Sequence, residues 1–117
     1  MPPMKRLAIV GPCGAGKTTL ERGLKQAGYE ARAIVQEHSF VPDLWQRFTQ
    51  PELLIFLQAS RSVGAARRQM QWSEAEWQEQ QHRLQHARQH ADLLIDTDEL
   101  TIQQVLERCL NFLHTQP

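Results

Sequence analysis

Neither sign of charge dominates this chain. Thirteen Lys and Arg residues meet thirteen Asp and Glu, for a formal net charge of +0 at pH 7. A surface so balanced has no broad basic field to follow a phosphate backbone, which excludes general binding to nucleic acid. Cysteine is scarce: the chain has 2, Cys13 and Cys109. Their placement makes neither a metal knuckle nor a redox pair, so both are expected to be reduced thiols in a cytoplasm. No run is long and apolar enough to span a membrane, and no membrane partner is expected. Met1-Pro2-Pro3-Met4 has the layout of neither a signal peptide nor a transit peptide. Internal repeats and long linkers are absent as well, so the 117 residues are expected to form one domain over 1–117.

What the chain does have is Gly11-Pro12-Cys13-Gly14-Ala15-Gly16-Lys17-Thr18. The pattern is glycine, a four-residue spacer, then Gly-Lys-Thr, which is the phosphate-binding loop. Its context fits. Lys5 to Val10 is a short apolar run suited to a buried strand. Lys17 to Ala27 places Leu20, Leu24 and Ala27 on one helical face and stops at Gly28. Gly11, Gly14 and Gly16 let backbone N–H groups close on phosphate oxygens. The helix start adds unpaired donors and a positive dipole end. Lys17 supplies a cation for the β- and γ-phosphates, and Thr18 a hydroxyl for Mg²⁺. Thr19 is read as a helix-start residue near the phosphates. Cys13 is read as a small loop filler; the loop donors and Lys17 would favour its thiolate if it were reactive.

Further along, Glu30 to Gln36 contains Ala33-Ile34-Val35, a second strand that ends in Gln36-Glu37-His38-Ser39. Pro42 opens a short helix or ordered loop to Phe48. Leu53 to Leu57 has the composition of a fully buried parallel strand. Ser60 or Ser62 caps the next helix. Ser73 with Glu76 forms a capping box that opens a glutamine-rich helix from about Glu74 to His90. Ala91 to Asp96 is the fourth strand. Thr101 with Gln104 is another capping box, and the closing helix carries Ile102, Val105, Leu106, Cys109 and Leu113 as its buried stripe. Strands alternating with helices predict an α/β fold: a small parallel sheet of about four strands with flanking helices. Ligands of such sheets sit beyond the carboxyl ends of the strands. That gathers the glycine loop, Glu37-His38, Ala59-Ser60 and Thr97-Asp98 at one pocket.

Three stretches carry a resemblance to the P-loop NTPase superfamily, in particular to small nucleoside and nucleotide kinases of the adenylate-kinase type. They are Gly11 to Thr18 with its flanks, Leu53 to Ser60 followed by Ser62-Val63 and Ala66-Arg67-Arg68, and Ala91 to Asp98 followed by Leu100-Thr101 and the last helix. The resemblance implies a three-layer Rossmann-like fold, bound ATP and Mg²⁺, and transfer of the γ-phosphoryl group to a small-molecule acceptor. It implies a lid, reduced here to about residues 67–90, in which Arg67 neutralises phosphate or stacks on the base. It also implies that Thr97-Asp98 lies where related kinases contact the purine, although Asp98 also suits the turn before the Thr101 cap. The space that usually holds a further strand and a substrate insert is filled only by about Glu30 to Glu52. No Asp-containing substrate motif is apparent. No Asn-Lys-x-Asp guanine motif occurs, so ATP is the expected nucleotide, with GTP the less favoured alternative.

Beside the loop, Glu37 is the candidate acid, either holding Mg²⁺ through water or orienting an acceptor hydroxyl. Asp43 is read as a first-turn acid and His38 as a surface histidine. Arg68 is expected to point away from Arg67. Arg83 and Arg88 lie on the lid helix as further phosphate candidates. His82, His86 and His90 share a helix face at a spacing that binds Zn²⁺. Without a completing ligand, a solvated or partner-facing helix is the preferred reading. Trp45, Trp72 and Trp77 are expected in packing, at the core or at a lid hinge. The catalytic set is therefore Lys17, Glu37 and Arg67, acting in a monomer or homodimer. The alternative is a nucleotide-binding module without catalysis, or a slow NTPase, whose state a protein partner reads.

Overall fold

The computed structural model describes residues 5–116, and the Met1–Met4 reading lies outside them. Four strands, β1 Arg6–Val10, β2 Glu30–Ala33, β3 Leu53–Gln58 and β4 Leu93–Asp96, form one sheet in the order β2-β1-β3-β4. Every pair is parallel. The helices are α1 Lys17–Gln26, α2 Leu44–Thr49, α3 Arg61–Arg68, α4 Glu74–Arg83, α5 Gln85–His90 and α6 Ile102–His114. The expected α/β parallel sheet is what the chain forms.

Alternation along the two central strands builds two apolar layers, because successive side chains leave a strand on opposite faces. Leu7 and Ile9 of β1 join Ile55 and Leu57 of β3 on one face, packed with Leu20 and Leu24 of α1 and Val105, Cys109 and Leu113 of α6. Ala8, Val10, Leu54 and Phe56 face the other way, packed with Trp45 of α2, Leu84 and Ala87. Strands buried on both faces read as continuous apolar runs, which is why β1 and β3 were recognisable.

Several expectations are corrected. The second strand stops at Ala33, and Gln36–His38 is a 3-10 turn. Gln36 is fully buried and causes this. Its amide holds the Val41 carbonyl at 2.7 Å and accepts the Trp45 N–H at 3.0 Å, folding the chain back where a strand would run on. Val35 is left exposed. The fourth strand begins at Leu93 because Asp92 turns its carboxylate to the Leu54 N–H, 2.7 Å away. The short helix starts at Leu44, past Pro42. The glutamine-rich helix is interrupted at Leu84, whose N–H is shared between the Gln80 and Gln81 carbonyls. That tightened turn accompanies a Leu84 side chain fully buried under the sheet. Ile102 is 69% exposed and does not belong to the buried stripe of α6. Both capping boxes form with both reciprocal bonds, and it is Ser60 that caps α3.

Candidate phosphate-binding site

The glycine loop joins the end of β1 to α1 at the carboxyl edge of the sheet. Gly14 has φ +82, and a β-carbon there would sit 2.5 Å from the Gly64 carbonyl oxygen, so only glycine lets α3 pack against the loop. Gly16 has φ +97 and is the N-cap of α1, with no side chain capping the helix. The three other helices of eight or more residues, α3, α4 and α6, are all capped by a serine or threonine. Among the described helices of this length, only α1 has no side chain on its first-turn N–H groups, which leaves them all to an outside acceptor.

A cleft of about 500 Å³ opens over this helix end. Gly14 to Thr19 line it, with Cys13, Glu37, His38, Arg67, Arg68 and Thr97 around them and Leu100, Ile102 and Val105 at one apolar wall. The structure thus brings most of the sequence-derived set together. Gly11 and Pro12 contribute carbonyls that accept the Lys17 ammonium, at 2.8 and 3.3 Å.

Lys17 does not stand free in solvent. Its Nζ lies 2.6 Å from Glu37 Oε2, and the two side chains are 10% and 3% exposed. The 3-10 turn after β2 carries Glu37 inward, and the loop carbonyls hold the lysine over it. Glu37 Oε1 is buried with no hydrogen-bond partner among the described residues. Oε2 also lies 3.7 Å from the Cys13 thiol, and His38 Nε2 lies 3.1 Å from the same sulfur. Cys13 is no activated thiolate: burial, then the Glu37 carboxylate, pushes its pKa up, against the smaller pull of Lys17. Burial raises Cys109 to about 12.

Arg67 spans two loops. It donates to the Gly14 carbonyl at 3.0 Å, to Thr97 Oγ1 at 2.9 Å and to the Thr97 carbonyl at 2.6 Å. Arg68 also lines the cleft. Asp98 accepts the Ser60 N–H at 2.9 Å, which ties the turns after β3 and β4 together, and it does not line the cleft. Asp43 pairs with Arg47 at 2.8 Å beside α2.

The remaining candidates lie elsewhere. Arg88 donates to Gln58 and stacks over Phe56, so it is occupied in the second layer. Arg83 covers Phe40 and bonds Glu79 and the Glu37 carbonyl. His86 and His90 stack on each other beside the buried Trp45, whose indole N–H meets His86. Trp72 and Trp77 pair, 5.7 Å between centroids. Gln80 went unnoticed in the sequence: it is buried and accepts the Cys13 N–H at 3.1 Å, linking α4 to the phosphate loop. A glutamine among many glutamines gives no local signal. Thr97, placed by the resemblance at the purine, is the buried anchor for Arg67.

No helix of the described residues is long and apolar enough to cross a membrane. No protein-family model matches the chain, and neither does any curated protein. Solved structures do. A deoxyadenosine kinase from M. mycoides with bound dCTP superposes with a TM-score of 0.65 at 14% identity, over 95% of this chain and 100% of that one. A shikimate kinase from Acinetobacter baumannii in complex with shikimate gives 0.64 at 15% identity, over 96% and 94%. At such identities the likeness is one of fold, and it agrees with the parallel order of the strands and the glycine loop at the end of β1. The chain has the α/β fold of these two kinases.

Proposed function

We propose that this protein binds Mg-ATP in the cleft over α1 and transfers the γ-phosphoryl group to a small-molecule acceptor. The observation that carries the reading is the uncapped N-terminus of α1 beneath a glycine loop, with Lys17 and a buried carboxylate beside it. Backbone N–H groups from Gly14 to Thr19 would hold the phosphates. Lys17 would leave Glu37 for the β/γ-phosphate oxygens. The freed Glu37, already poised in a dry site, would orient the acceptor hydroxyl or a metal-bound water. Arg67 would keep the loop in register through Gly14 and Thr97 and add positive charge beside the transferring group. Mg²⁺ fits the exposed hydroxyl of Thr18, with the unpartnered Glu37 carboxylate oxygen as the acidic partner; it would supply charge neutralisation. The apolar wall of Leu100, Ile102 and Val105 suits a base. Incubating labelled Mg-ATP with pooled nucleosides, sugars and small acids tests the transfer: one pool should take up label. Label lost only to hydrolysis in every pool favours the module without an acceptor.

A moving lid, in this reading, is confined to residues 69–77, since Leu84 and Ala87 sit fully buried in the second layer. Amides of residues 84–88 are expected to exchange slowly with and without Mg-ATP, and those of 69–77 to slow when it is added. Hydrogen exchange read by mass spectrometry checks both. Fast exchange at 84–88 in the free protein would restore the whole α4–α5 segment as the lid.

A further inference from the structure

We propose that Cys13, His38 and Glu37 form a binding site for a thiophilic divalent ion, Zn²⁺, on the shoulder of the phosphate loop. The three donors come from two segments, the loop after β1 and the 3-10 turn after β2, and converge on one point. Their separations are 3.1 Å from Sγ to Nε2, 3.7 Å from Sγ to Oε2 and 3.9 Å from Nε2 to Oε2. A tetrahedral zinc with bonds of about 2.3 Å to sulfur and about 2.0–2.2 Å to nitrogen and oxygen needs donor separations of roughly 3.3–3.6 Å. Shifts of a few tenths of an ångström close the difference, and the half-exposed His38 ring is free to make them.

An independent observation points to a missing ligand. Glu37 is nine-tenths buried and more, yet its Oε1 has no partner among the described residues. One carboxylate oxygen serves Lys17, and the other has unused lone pairs in a dry place, which is costly. The oxygen that faces Cys13 and His38 is Oε2, the one Lys17 holds, so a bound ion takes Oε2 and the ammonium shifts to the vacant Oε1, which removes that cost. The thiol proton leaves to solvent as sulfur binds the metal. Thiolate with imidazole selects zinc over magnesium, and because both ions would draw on the Glu37 carboxylate, zinc is expected in the nucleotide-free protein. Three protein ligands leave a fourth position for water or an anion. Two neighbours oppose the ion electrostatically: Lys17 at Glu37 and Arg68 near Cys13. The expected affinity is therefore below that of a closed four-ligand site. Zinc binding stands whether or not the phosphoryl-transfer reading holds.

Cobalt(II), a spectroscopic stand-in for zinc, tests the site in the full chain without nucleotide. The wild type is expected to bind one equivalent and show a thiolate-to-cobalt charge-transfer band, which added Zn²⁺ bleaches. Cys109→Ser should keep the band, since Cys109 is fully buried elsewhere. Cys13→Ser should lose it, and His38→Ala should weaken cobalt binding at least tenfold. His38 is half-exposed, so its variant stays informative even if Cys13→Ser fails to fold. A wild type with no charge-transfer band overturns the proposal. So does cobalt binding unchanged in His38→Ala, which would move the metal to the face of His82, His86 and His90.

Discussion

Lys17→Ala is expected to destabilise the protein by about 3 kcal/mol, the low end of what breaking a buried ion pair costs. Glu37 would be left as a 3% exposed carboxylate without its ammonium partner, and its second oxygen has no partner already. Removing both members should recover most of the loss, because the cost lies in the stranded charge rather than in the missing contact. Urea unfolding of Lys17→Ala, Glu37→Gln and the double variant measures the coupling directly. The single variant should also bind nucleotide on the order of 100-fold more weakly, since one charge-assisted phosphate contact contributes about 2–3 kcal/mol. A Lys17→Ala protein as stable as the wild type would mean that the pair is solvated and contributes as little as a surface bridge.

Glu37→Gln is expected to act in the opposite pattern. Turnover with a working acceptor should fall about 10²–10⁴-fold, the usual contribution of a positioned acid or base. Nucleotide affinity should stay the same or tighten, because glutamine no longer holds the ammonium that the phosphates must recruit. Such a split, kcat lost while binding is kept, marks an interaction made only near the transition state. Steady-state kinetics beside equilibrium titration reads it. Turnover unchanged in Glu37→Gln would remove Glu37 from the chemistry and leave it as a resting partner for Lys17.

How much of this was legible in the residues follows from which interactions are local. The β1–loop–α1 unit is written in consecutive positions: an apolar run, glycines, then Lys17-Thr18 and a leucine face. The capping boxes at Ser73 and Thr101 are equally local, and both formed. The pocket at the strand ends followed from parallel topology. What escaped depends on distant partners. Gln36 ends β2 by bonding the backbone of Val41 and Trp45, and no periodicity marks a buried glutamine as a structural hinge. The Lys17–Glu37 pair joins the start of α1 to the turn after β2, and no local pattern shows that the lysine rests neutralised by a buried carboxylate. Gln80 reaches the loop from α4 across the fold. Ile102 fits a helical stripe by spacing, yet at the first turn of α6 it overhangs the cleft rather than the core.

The central claim, that the uncapped start of α1 is a nucleotide phosphate site, is tested most directly by thermal and calorimetric titration of the wild type with Mg-ATP and Mg-ADP. At about 100-fold above Kd, nucleotide should stabilise the fold by about 2.7 kcal/mol. Titrations that find no binding of nucleotide, phosphate or sulfate would contradict it.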